Sequence, residues 1–387
     1  MTPPFVYDNI LLMKITIKCK LNPSPQQAQA LDETLEKCQK AMNYISQVAW
    51  KKQCFNRVAL HHFVYRELRE KFGLTAQLAV SVRDKVAFSY KADKSGQHNF
   101  KKGVLPLDPP RSFRLILNGG EFASISTLSG RQKIPLILGE YQKSWLKDRA
   151  KDICESEVIK SNRKYYLHLT IEVKEPSIKE TKEAIGIDLG IKNLATTSEG
   201  DCFTGEQVER TRRRYERLRA ELQAKGTLSA KKHLKRVSGK EKLFKKITNH
   251  LISRRIVDKA LKAGKAIVLE ELKGIRQRTK VRKSQNGQHH KWAFGELIQF
   301  IVYKARLAGI PVFFADPKYT SQKCSHCSYT SKFNRKSQSE FVCQSCGLSL
   351  NADINAARNL AGLLSTSPDV LRPAWEMEGQ ALCISKG

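Results

Sequence analysis

The sequence has no long hydrophobic run, and this absence limits where the protein can work. No apolar stretch approaches the roughly 18 residues needed to span a bilayer. The run at residues 10–13 is too short for the core of a signal peptide, and the mean hydropathy of −0.45 agrees. The sequence therefore argues against membrane and secreted proteins and predicts a cytoplasmic one.

Acidic residues are scarce beside basic ones. Asp and Glu total 37 against 69 Lys and Arg, which gives a formal net charge of +32 and a pI of about 9.8. A compact protein with this excess repels itself and needs a polyanion to neutralise it. Because 41% of the residues are hydrophobic, a disordered basic tail is excluded. We expect a nucleic-acid-binding protein of the cytosol or the nucleoid.

Cysteine is too rare for a secreted disulfide scaffold, since the chain has ten in 387 residues. Four of the ten form two CxxC pairs separated by fifteen residues, Cys324/Cys327 and Cys343/Cys346. Two such knuckles place four thiolates around one Zn²⁺, and a closed site of this kind is structural rather than catalytic. The histidines nearby (His326, and the tandem His289 and His290) are interpreted as surface residues.

The N-terminal half changes character twice. Residues 25–97 show a helical apolar stripe that includes Leu31, Leu35, Cys38 and Met42. Residues 98–180 carry short runs rich in β-branched and aromatic residues, broken by turn signals. We expect an antiparallel β-barrel or curved sheet built from residues 1–24 and 98–180, with the helical module inserted in it. Residues 365–387 have no clear pattern and are expected to be a flexible tail.

Three acids follow apolar patterns further along the chain. Residues 184–187 and 266–269 are apolar runs that end at Asp188 and Glu270, and Asp353 lies in the first turn of a predicted helix. Any one of them alone is better explained as a surface cap or turn residue. Three together can converge on two Mg²⁺ ions that clamp the oxygens of a phosphodiester. Glu271 is the alternative to Glu270, since neighbours on a strand point to opposite faces; we choose Glu270.

Basic residues are concentrated in two stretches. Residues 210–246 hold fifteen Lys or Arg and three acids, and residues 273–283 hold six and none. The first stretch is helical, and we expect Leu243, Ile247, Leu251 and Ile252 to face inward. A density this one-sided favours a surface that tracks phosphates, although nothing in it specifies a base contact. The predicted nucleic-acid contacts are Arg212, Arg213, Arg214, Lys245, Lys246, Arg254, Arg255, Lys280 and Arg282.

The order of these motifs resembles the TnpB (OrfB) family, the RNA-guided nucleases of insertion sequences that are related to compact type V CRISPR effectors. The motifs are "GIDLGIKN", "VLEEL", "DPKYTSQKCSHC", "CQSCG" and "NADINAARNL". The resemblance implies an α/β multidomain protein with an RNase H-like (RuvC) nuclease domain that carries an inserted zinc ribbon. The N-terminal β-barrel is then the wedge domain, and the helical insertion is the recognition domain.

The implied boundaries follow from the same motifs. They are 1–24 and 98–180 for the wedge, 25–97 for the recognition domain, 181–320 and 349–364 for the nuclease, 321–348 for the zinc ribbon and 365–387 for the tail. By the resemblance, Asp188, Glu270 and Asp353 match the catalytic Mg²⁺ triad, and Arg358 matches an arginine near the scissile strand. The zinc ribbon would load target nucleic acid.

The implied function is RNA-guided DNA cleavage next to a short adjacent motif. The partners are a guide RNA, a double-stranded DNA target and its displaced single strand, with no membrane; one or two protein copies per RNA remain possible. Gln77 and Ser81, four apart on one helix face, are candidates to read the motif, and are equally well explained as solvent-facing polar residues. The alternatives are a type V CRISPR effector, a nuclease-silent RNA-guided binder and a guide-free zinc-ribbon DNA-binding protein. A strand-joining transposase is disfavoured.

Overall fold

The computed structural model describes residues 12–147, 153–190, 192–271, 294–316 and 318–374. The chain divides into two compact units, Met1–Lys174 and Glu175–Gly387. Each unit combines helices with a β-sheet, so the α/β class predicted from the sequence is confirmed. No helix among the described residues is long and apolar enough to cross a membrane.

The first unit is built on a seven-stranded sheet whose described pairings are all antiparallel, in the order β2-β6-β7-β1-β5-β4-β3. Along β1 the side chains from Met13 to Leu21 alternate between buried and outward positions, as a half-buried strand requires. The antiparallel pairing agrees with the sequence analysis, and closure into a barrel stays a prediction. The strands are β1 (Leu12–Leu21), β2 (Val104–Leu107), β3 (Phe113–Ile116), β4 (Phe122–Thr127), β5 (Gly130–Ile137), β6 (Ile153–Ser161) and β7 (Lys164–Lys174).

Three helices lie between β1 and β2 in the chain. The first begins at a capping box, in which Ser24 and Gln27 each bond the other's backbone N–H. Its buried residues include Leu31, Leu35 and Met42, which belong to the stripe predicted from the sequence. A short helix also follows β5. The helices are α1 (Pro25–Lys52), α2 (Arg57–Glu70), α3 (Ala76–Ala92) and α4 (Glu140–Leu146).

The second unit has a six-stranded mixed sheet in the order β10-β9-β8-β11-β12-β15. The three central strands β8, β11 and β12 run parallel, and the outer strands pair antiparallel with their neighbours. The runs that precede Asp188 and Glu270 are therefore adjacent strands of one sheet. The strands are β8 (Ala184–Asp188), β9 (Asn193–Thr197), β10 (Cys202–Thr204), β11 (Ala266–Glu270), β12 (Val312–Ala315) and β15 (Arg372–Pro373).

Helices pack on both faces of this sheet. Ile185, Ile187, Ile267 and Leu269 share a core with α6 and α7, while Val268 faces the other side and packs with Leu360 of α8. A hairpin, β13 (Glu340–Val342) and β14 (Ser349–Asn351), lies just before α8. Within the described residues, the α-helices of this unit are α5 (Glu206–Lys225), α6 (Leu228–Ala263), α7 (Phe294–Leu307) and α8 (Ala352–Thr366).

The predicted flexible tail is wrong for residues 365–374. Helix α8 continues to Thr366, Leu371 is buried in the core beneath it, and β15 pairs with β12 at the edge of the sheet. The apolar side chains of Leu371 and Ala374 hold this segment in place. A strand of two residues is too short to leave a periodic pattern, so the sequence did not indicate it. Residues 375–387 lie outside the described ranges.

The expectation for the basic stretch is also wrong in part. Ile252 is buried as predicted, but Leu243, Ile247 and Leu251 are exposed. The face of α6 that packs against the sheet and α7 is set by residues such as Ile256 and Val257. At 100° per residue, the three exposed residues lie about 140° to 180° round the helix from Ile256.

Candidate active site and cysteine cluster

Asp188 and Glu270 end two neighbouring parallel strands, β8 and β11. The register pairs Ile187 with Leu269, so the two acids that follow lie side by side at the carboxyl edge of the sheet. Ile187 and Leu269 point into the core shared with α6 and α7. Because side chains alternate along a strand, Asp188 and Glu270 face the other side of the sheet, where α8 lies.

Helix α8 brings the third acid to this edge. A Cβ atom at Gly186 would lie 1.9 Å from the carbonyl oxygen of Ala357, so the helix backbone crosses β8 at a point where only glycine fits. Asp353 lies four residues before the crossing on the helix, about 6 Å along its axis. Asp188 lies two residues after it on the strand, about 6.6 Å away. We call Asp188, Glu270 and Asp353 the carboxylate pocket.

Two side chains contact Asp353. The amide Nδ2 of Asn193, at the start of β9, donates to Asp353 Oδ2 at 2.8 Å. The guanidinium Nη2 of Arg335 lies 3.9 Å from Oδ1. Each carboxylate oxygen therefore faces a different partner, one neutral and one cationic.

The electrostatics of the pocket show that its acids interact. Burial raises the pKa of Asp188 far above its ordinary value, and the carboxylates of Glu270 and Asp353 raise it further, while Arg335 lowers it. Burial also raises the pKa of Glu270, against hydrogen bonds from Thr320 and Asp188 that lower it. A pocket that resists ionisation in this way favours a bound cation as the source of compensating charge.

Glu270 rather than Glu271 faces the other acids, and its role as a metal ligand stays a prediction. Glu270 accepts a hydrogen bond from Thr320 Oγ1 at 3.4 Å. Glu271 instead pairs with Arg372 of β15, with 3.4 Å between Nη1 and Oε2.

The four cysteines form a second candidate metal site. Their sulfur atoms all lie within 4.8 Å of one another, with 3.7 Å between Cys324 and Cys346 and 3.5 Å between Cys327 and Cys343. Four thiolates at 2.3 Å from a tetrahedral Zn²⁺ would be about 3.8 Å apart. Backbone N–H groups of Cys346 and Ser345 lower the pKa of the Cys343 thiol. We call these residues the cysteine cluster, and it could hold a metal ion.

Arg358 and Arg335 occupy different positions relative to the pocket. Arg358 is an exposed residue of α8, five positions after Asp353 and hence about 140° further round the helix. The arginine that contacts an acid is Arg335, which precedes β13. The role assigned to Arg358 stays a prediction.

The predicted nucleic-acid contacts fall into two groups. Arg212 is 13% exposed and pairs with Glu209 and Glu216, whereas Arg213 is 72% exposed. Lys245 pairs with Glu241, which also binds Arg219 and so joins α6 to α5. Arg212 is therefore engaged by acids of its own helix and Lys245 by an acid of α6, and their predicted contacts with phosphates stay a prediction. Arg214, Arg254 and Arg255 are exposed and Lys246 is half-buried; Lys280 and Arg282 lie outside the described residues.

Gln77 and Ser81 are held within the first unit. Gln77 Nε2 donates to Asp108 Oδ2 at 2.7 Å, and Ser81 Oγ donates to the carbonyl of Gln77 at 3.0 Å. Both residues are half-buried on α3. Neither is a simple solvent-facing position, and their predicted reading of the adjacent motif stays a prediction.

Several functional candidates were missed from the sequence. Asn193, Thr320 and Arg335 contact the acids, but each is far from them in the chain or follows no periodic pattern. Asn193 ends the motif "GIDLGIKN" and Thr320 belongs to "DPKYTSQKCSHC". Their place in motifs that also carry an acid or a cysteine was the available signal, and contact could be assigned only once the sheet and ribbon were in place.

Comparison with known proteins confirms the resemblance. Residues 168–285 match the OrfB_IS605 family model, described as "Probable transposase", and residues 294–360 match the "Cas12f1-like, TNB domain" model. The CRISPR-associated endodeoxyribonuclease Cas12f1 of Sulfoacidibacillus thermotolerans is 35% identical over 246 residues, which cover 58% of this chain and 54% of that protein. A TnpB-like protein of Aquifex aeolicus is 28% identical over 239 residues, covering 54% of this chain and 77% of the relative.

A solved structure shares the fold. The cryo-EM structure of a Cas12f1–sgRNA–target DNA complex aligns with a TM-score of 0.61 at 17% identity, covering 89% of this chain and 82% of that chain. This chain spans 37% to 54% of the length of the three Cas12f relatives that it matches in sequence. The structural similarity shows a common fold, and the sequence matches show similarity to both TnpB-like and Cas12f proteins.

Proposed function

We propose that this protein is an RNA-guided DNA endonuclease of the TnpB type. The observation that carries the proposal is the carboxylate pocket, in which three acids from distant parts of the chain face one another beside a cysteine cluster. The relatives add support: the name of Cas12f1 describes an endodeoxyribonuclease, and the matching structure holds a guide RNA and a DNA target.

The second unit would act as the RuvC-type nuclease domain. An RNase H-like domain needs its acids at the carboxyl edge of a mixed sheet, and β8, β11 and α8 supply them there. The segment from Cys324 to Cys346 would be the inserted zinc ribbon. In the first unit, the antiparallel sheet would be the wedge domain, and α1–α3 the recognition domain.

The residues of the carboxylate pocket fit two Mg²⁺ ions. They offer the oxygen ligands that Mg²⁺ prefers, and the raised pKa values of Asp188 and Glu270 favour a cation in the pocket. Bound Mg²⁺ supplies Lewis acidity and an activated water for phosphodiester hydrolysis. Asn193 orients the Asp353 carboxylate, Thr320 orients Glu270, and Arg335 adds a positive charge that would attract the scissile phosphate.

The cysteine cluster fits one structural Zn²⁺. Its sulfur distances approach those of a tetrahedral thiolate site, and Cys324 and Cys343 are buried. Four protein ligands leave no open position, so the ion would hold the ribbon rather than react.

The exposed arginines of α5 fit a phosphate backbone. Arg210, Arg213, Arg214 and Arg217 line one surface hollow on that helix together with Glu206 and Glu209, so four cations there face two acids. Together with the net charge of +32, this supports a structured RNA as partner, held through its phosphates while base pairing selects the target. A nucleic-acid partner of this kind would place the protein in the cytoplasm, with the nucleoid.

A compact type V CRISPR effector is the second candidate. The 35% identity to Cas12f1 favours it. The two candidates share the same cleavage chemistry and differ in the origin of the guide. The RNA that copurifies with the protein therefore separates them.

The test is to express the protein with its native flanking DNA, sequence the bound RNA, and assay cleavage of a matching plasmid with and without Mg²⁺. We expect a discrete RNA and cleavage that needs both RNA and Mg²⁺. RNA-dependent binding without cleavage would instead identify a silent binder. Sequence-specific binding by RNA-free protein would identify a guide-free DNA-binding protein.

A further inference from the structure

Asparagines at positions 351, 355 and 359 are spaced four apart, the first at the N-cap of helix α8 and the other two within the helix. Asn351 caps the helix: its Oδ1 accepts from the backbone N–H of Asp353 at 2.9 Å and of Ile354 at 3.3 Å. The cap fixes the backbone of the third acid. The other two asparagines make no contact with the acids, and the proposed chemistry assigns them no role.

Asn355 binds the chain on both sides of a cysteine. Its Oδ1 accepts from the N–H of Ser325 at 3.0 Å, and its Nδ2 donates to the carbonyl of Lys323 at 2.8 Å. The residue between those two is Cys324. Asn355 is fully buried, so loss of its amide would leave the N–H of Ser325 without this acceptor in a site closed to water and would remove one of the bonds to the Lys323 carbonyl.

Asn359 extends the same contact one turn further. Its Nδ2 donates to the carbonyls of Thr320 at 2.8 Å and Lys323 at 2.7 Å. Thr320 is the residue whose hydroxyl bonds Glu270. Asn359 therefore ties α8 to the segment that positions the second acid.

The segment between the two knuckles also contacts the carboxylate pocket. Asn334 is fully buried and bridges both knuckles, donating to the carbonyl of Gln322 at 2.9 Å and accepting from the N–H of Gln344 at 3.0 Å. The next residue is Arg335, which contacts Asp353. Ala352, the first residue of α8, packs in the same core as Cys324 and Cys343.

We propose that Asn355 and Asn359 are positioning residues that couple the cysteine cluster to the carboxylate pocket, so that zinc occupancy sets the affinity of the pocket for divalent cations. The coupling needs no contact between the two ions. It runs through helix α8. The side-chain amides of Asn355 and Asn359 bind the backbone at the first knuckle, and the first turn of the same helix carries Asp353. The coupling rests on the proposed function in two respects, namely that the acids bind divalent cations and that the cysteine cluster binds zinc.

The test measures metal binding by the full-length protein without nucleic acid. Zinc release is followed with a chromogenic chelator, and Mn²⁺ binding is followed by electron paramagnetic resonance. For Asn355→Ala we expect zinc release at least about tenfold faster and Mn²⁺ binding about 10–100-fold weaker, the usual effect of losing an outer partner of a metal ligand. Wild-type protein stripped of zinc should lose Mn²⁺ affinity similarly and regain it when zinc is returned.

Asn249→Ala is the matched control. Asn249 is another fully buried asparagine of the second unit, and its Nδ2 donates to Glu296 at 2.9 Å, away from the ribbon. Both metal affinities should stay at wild-type values in this variant. If Asn355→Ala does not fold, Asn359→Ala should still weaken Mn²⁺ binding about fivefold, as expected for one net hydrogen bond.

Unchanged Mn²⁺ binding in a variant or stripped protein that has lost zinc would overturn the coupling. Unchanged binding of both metals in Asn355→Ala would overturn it as well. Failure of the proposed function looks different, because Mn²⁺ binding would then remain zinc-dependent while no DNA is cut under any condition.

Discussion

The cysteine cluster and the carboxylate pocket lie within one unit but are built in opposite ways. The four cysteines lie within residues 324–346, on two short turns, whereas the three acids are drawn from residues 188–353 and meet only when β8, β11 and α8 have packed. A local site needs its turns alone, while the pocket needs the whole sheet. A substitution that destabilises the fold should therefore disrupt the carboxylate pocket before it disrupts the cysteine cluster.

The two sites also differ in how their ligands are prepared for a cation. Backbone N–H groups lower the pKa of Cys343, whereas burial and hydrogen bonds with the other thiols raise the pKa of Cys346, so one thiol of the cluster favours the thiolate before any metal arrives. Burial raises the pKa values of Asp188 and Glu270, so the pocket favours protonated acids until a cation replaces the protons. The first arrangement suits a permanent structural ion, and the second suits an ion that binds under suitable conditions.

The largest expected effect is on DNA cleavage. Asp188→Ala, Glu270→Ala or Asp353→Ala should each lower the single-turnover cleavage rate more than about 100-fold, since each removes a direct ligand rather than an outer partner. RNA binding should be intact. Glu271→Ala is the matched control, because Glu271 pairs with Arg372 outside the pocket, and it should cut within about twofold of wild type. Wild-type cutting by any of the three would refute the triad.

The cysteine cluster should lose zinc affinity after a substitution that leaves the three acids unchanged. Cys343→Ser should lower zinc affinity on the order of 100-fold, because it removes one of four thiolates from a closed site. Elemental analysis gives the zinc content, and limited proteolysis shows whether residues 321–348 open. Cys202→Ser is the control, since Cys202 is exposed on β10, away from the other thiols. A normal zinc content in Cys343→Ser would contradict the four-thiolate site.

The packing of α8 on β8 should be disrupted by one added methyl group at Gly186. Gly186→Ala places a methyl group against the Ala357 carbonyl, and we expect about 3 kcal/mol or more of destabilisation in urea, measured by pulse proteolysis. Gly239→Ala, in an open position on α6, should instead stabilise by up to about 1 kcal/mol. Equal stability of both variants would mean that the helix does not cross the strand there. Relative to wild type, Gly186→Ala should keep a larger fraction of its zinc content than of its DNA-cleavage activity.

The smallest effect expected concerns pH. Because the pKa values of Asp188 and Glu270 are raised, protons compete with Mg²⁺ over the neutral range. The half-saturating Mg²⁺ concentration should rise as the pH falls, by up to about tenfold per pH unit for each proton displaced. Cleavage titrations between pH 6.5 and 8.5 measure it. A flat profile would show that the acids are already ionised without metal. Zinc content should not change over the same range.

The sequence predicted those parts of the two sites that depend on local patterns. The CxxC spacing fixed the cluster. Apolar runs closed by an acid identified Asp188 and Glu270, because a buried strand leaves a continuous apolar run whatever packs on it. Asp353 was found from the helix that follows it. The antiparallel sheet of the first unit followed from alternation such as that of β1.

What the sequence could not supply is what tertiary packing decides. The phase of a basic helix is ambiguous, so Leu243, Ile247 and Leu251 were assigned to the wrong face. Arg335 and Asn193 contact Asp353 from 18 and 160 positions away in the chain, and neither contact could be assigned before the sheet and the ribbon were in place. The segment from Ser367 to Ala374 joins the sheet edge through two strand residues and two apolar side chains. So few residues cannot produce a periodic hydrophobic pattern in the sequence.

The most direct test of the account is to locate a divalent ion in the pocket. Crystals of the protein soaked with Mn²⁺ and measured at the manganese absorption edge would show the ion by its anomalous signal. We predict anomalous density between Asp188, Glu270 and Asp353, and its loss in Asp188→Ala. Density elsewhere, with none between these acids in protein that cuts DNA in Mn²⁺, would contradict the central claim that the three carboxylates form one catalytic site.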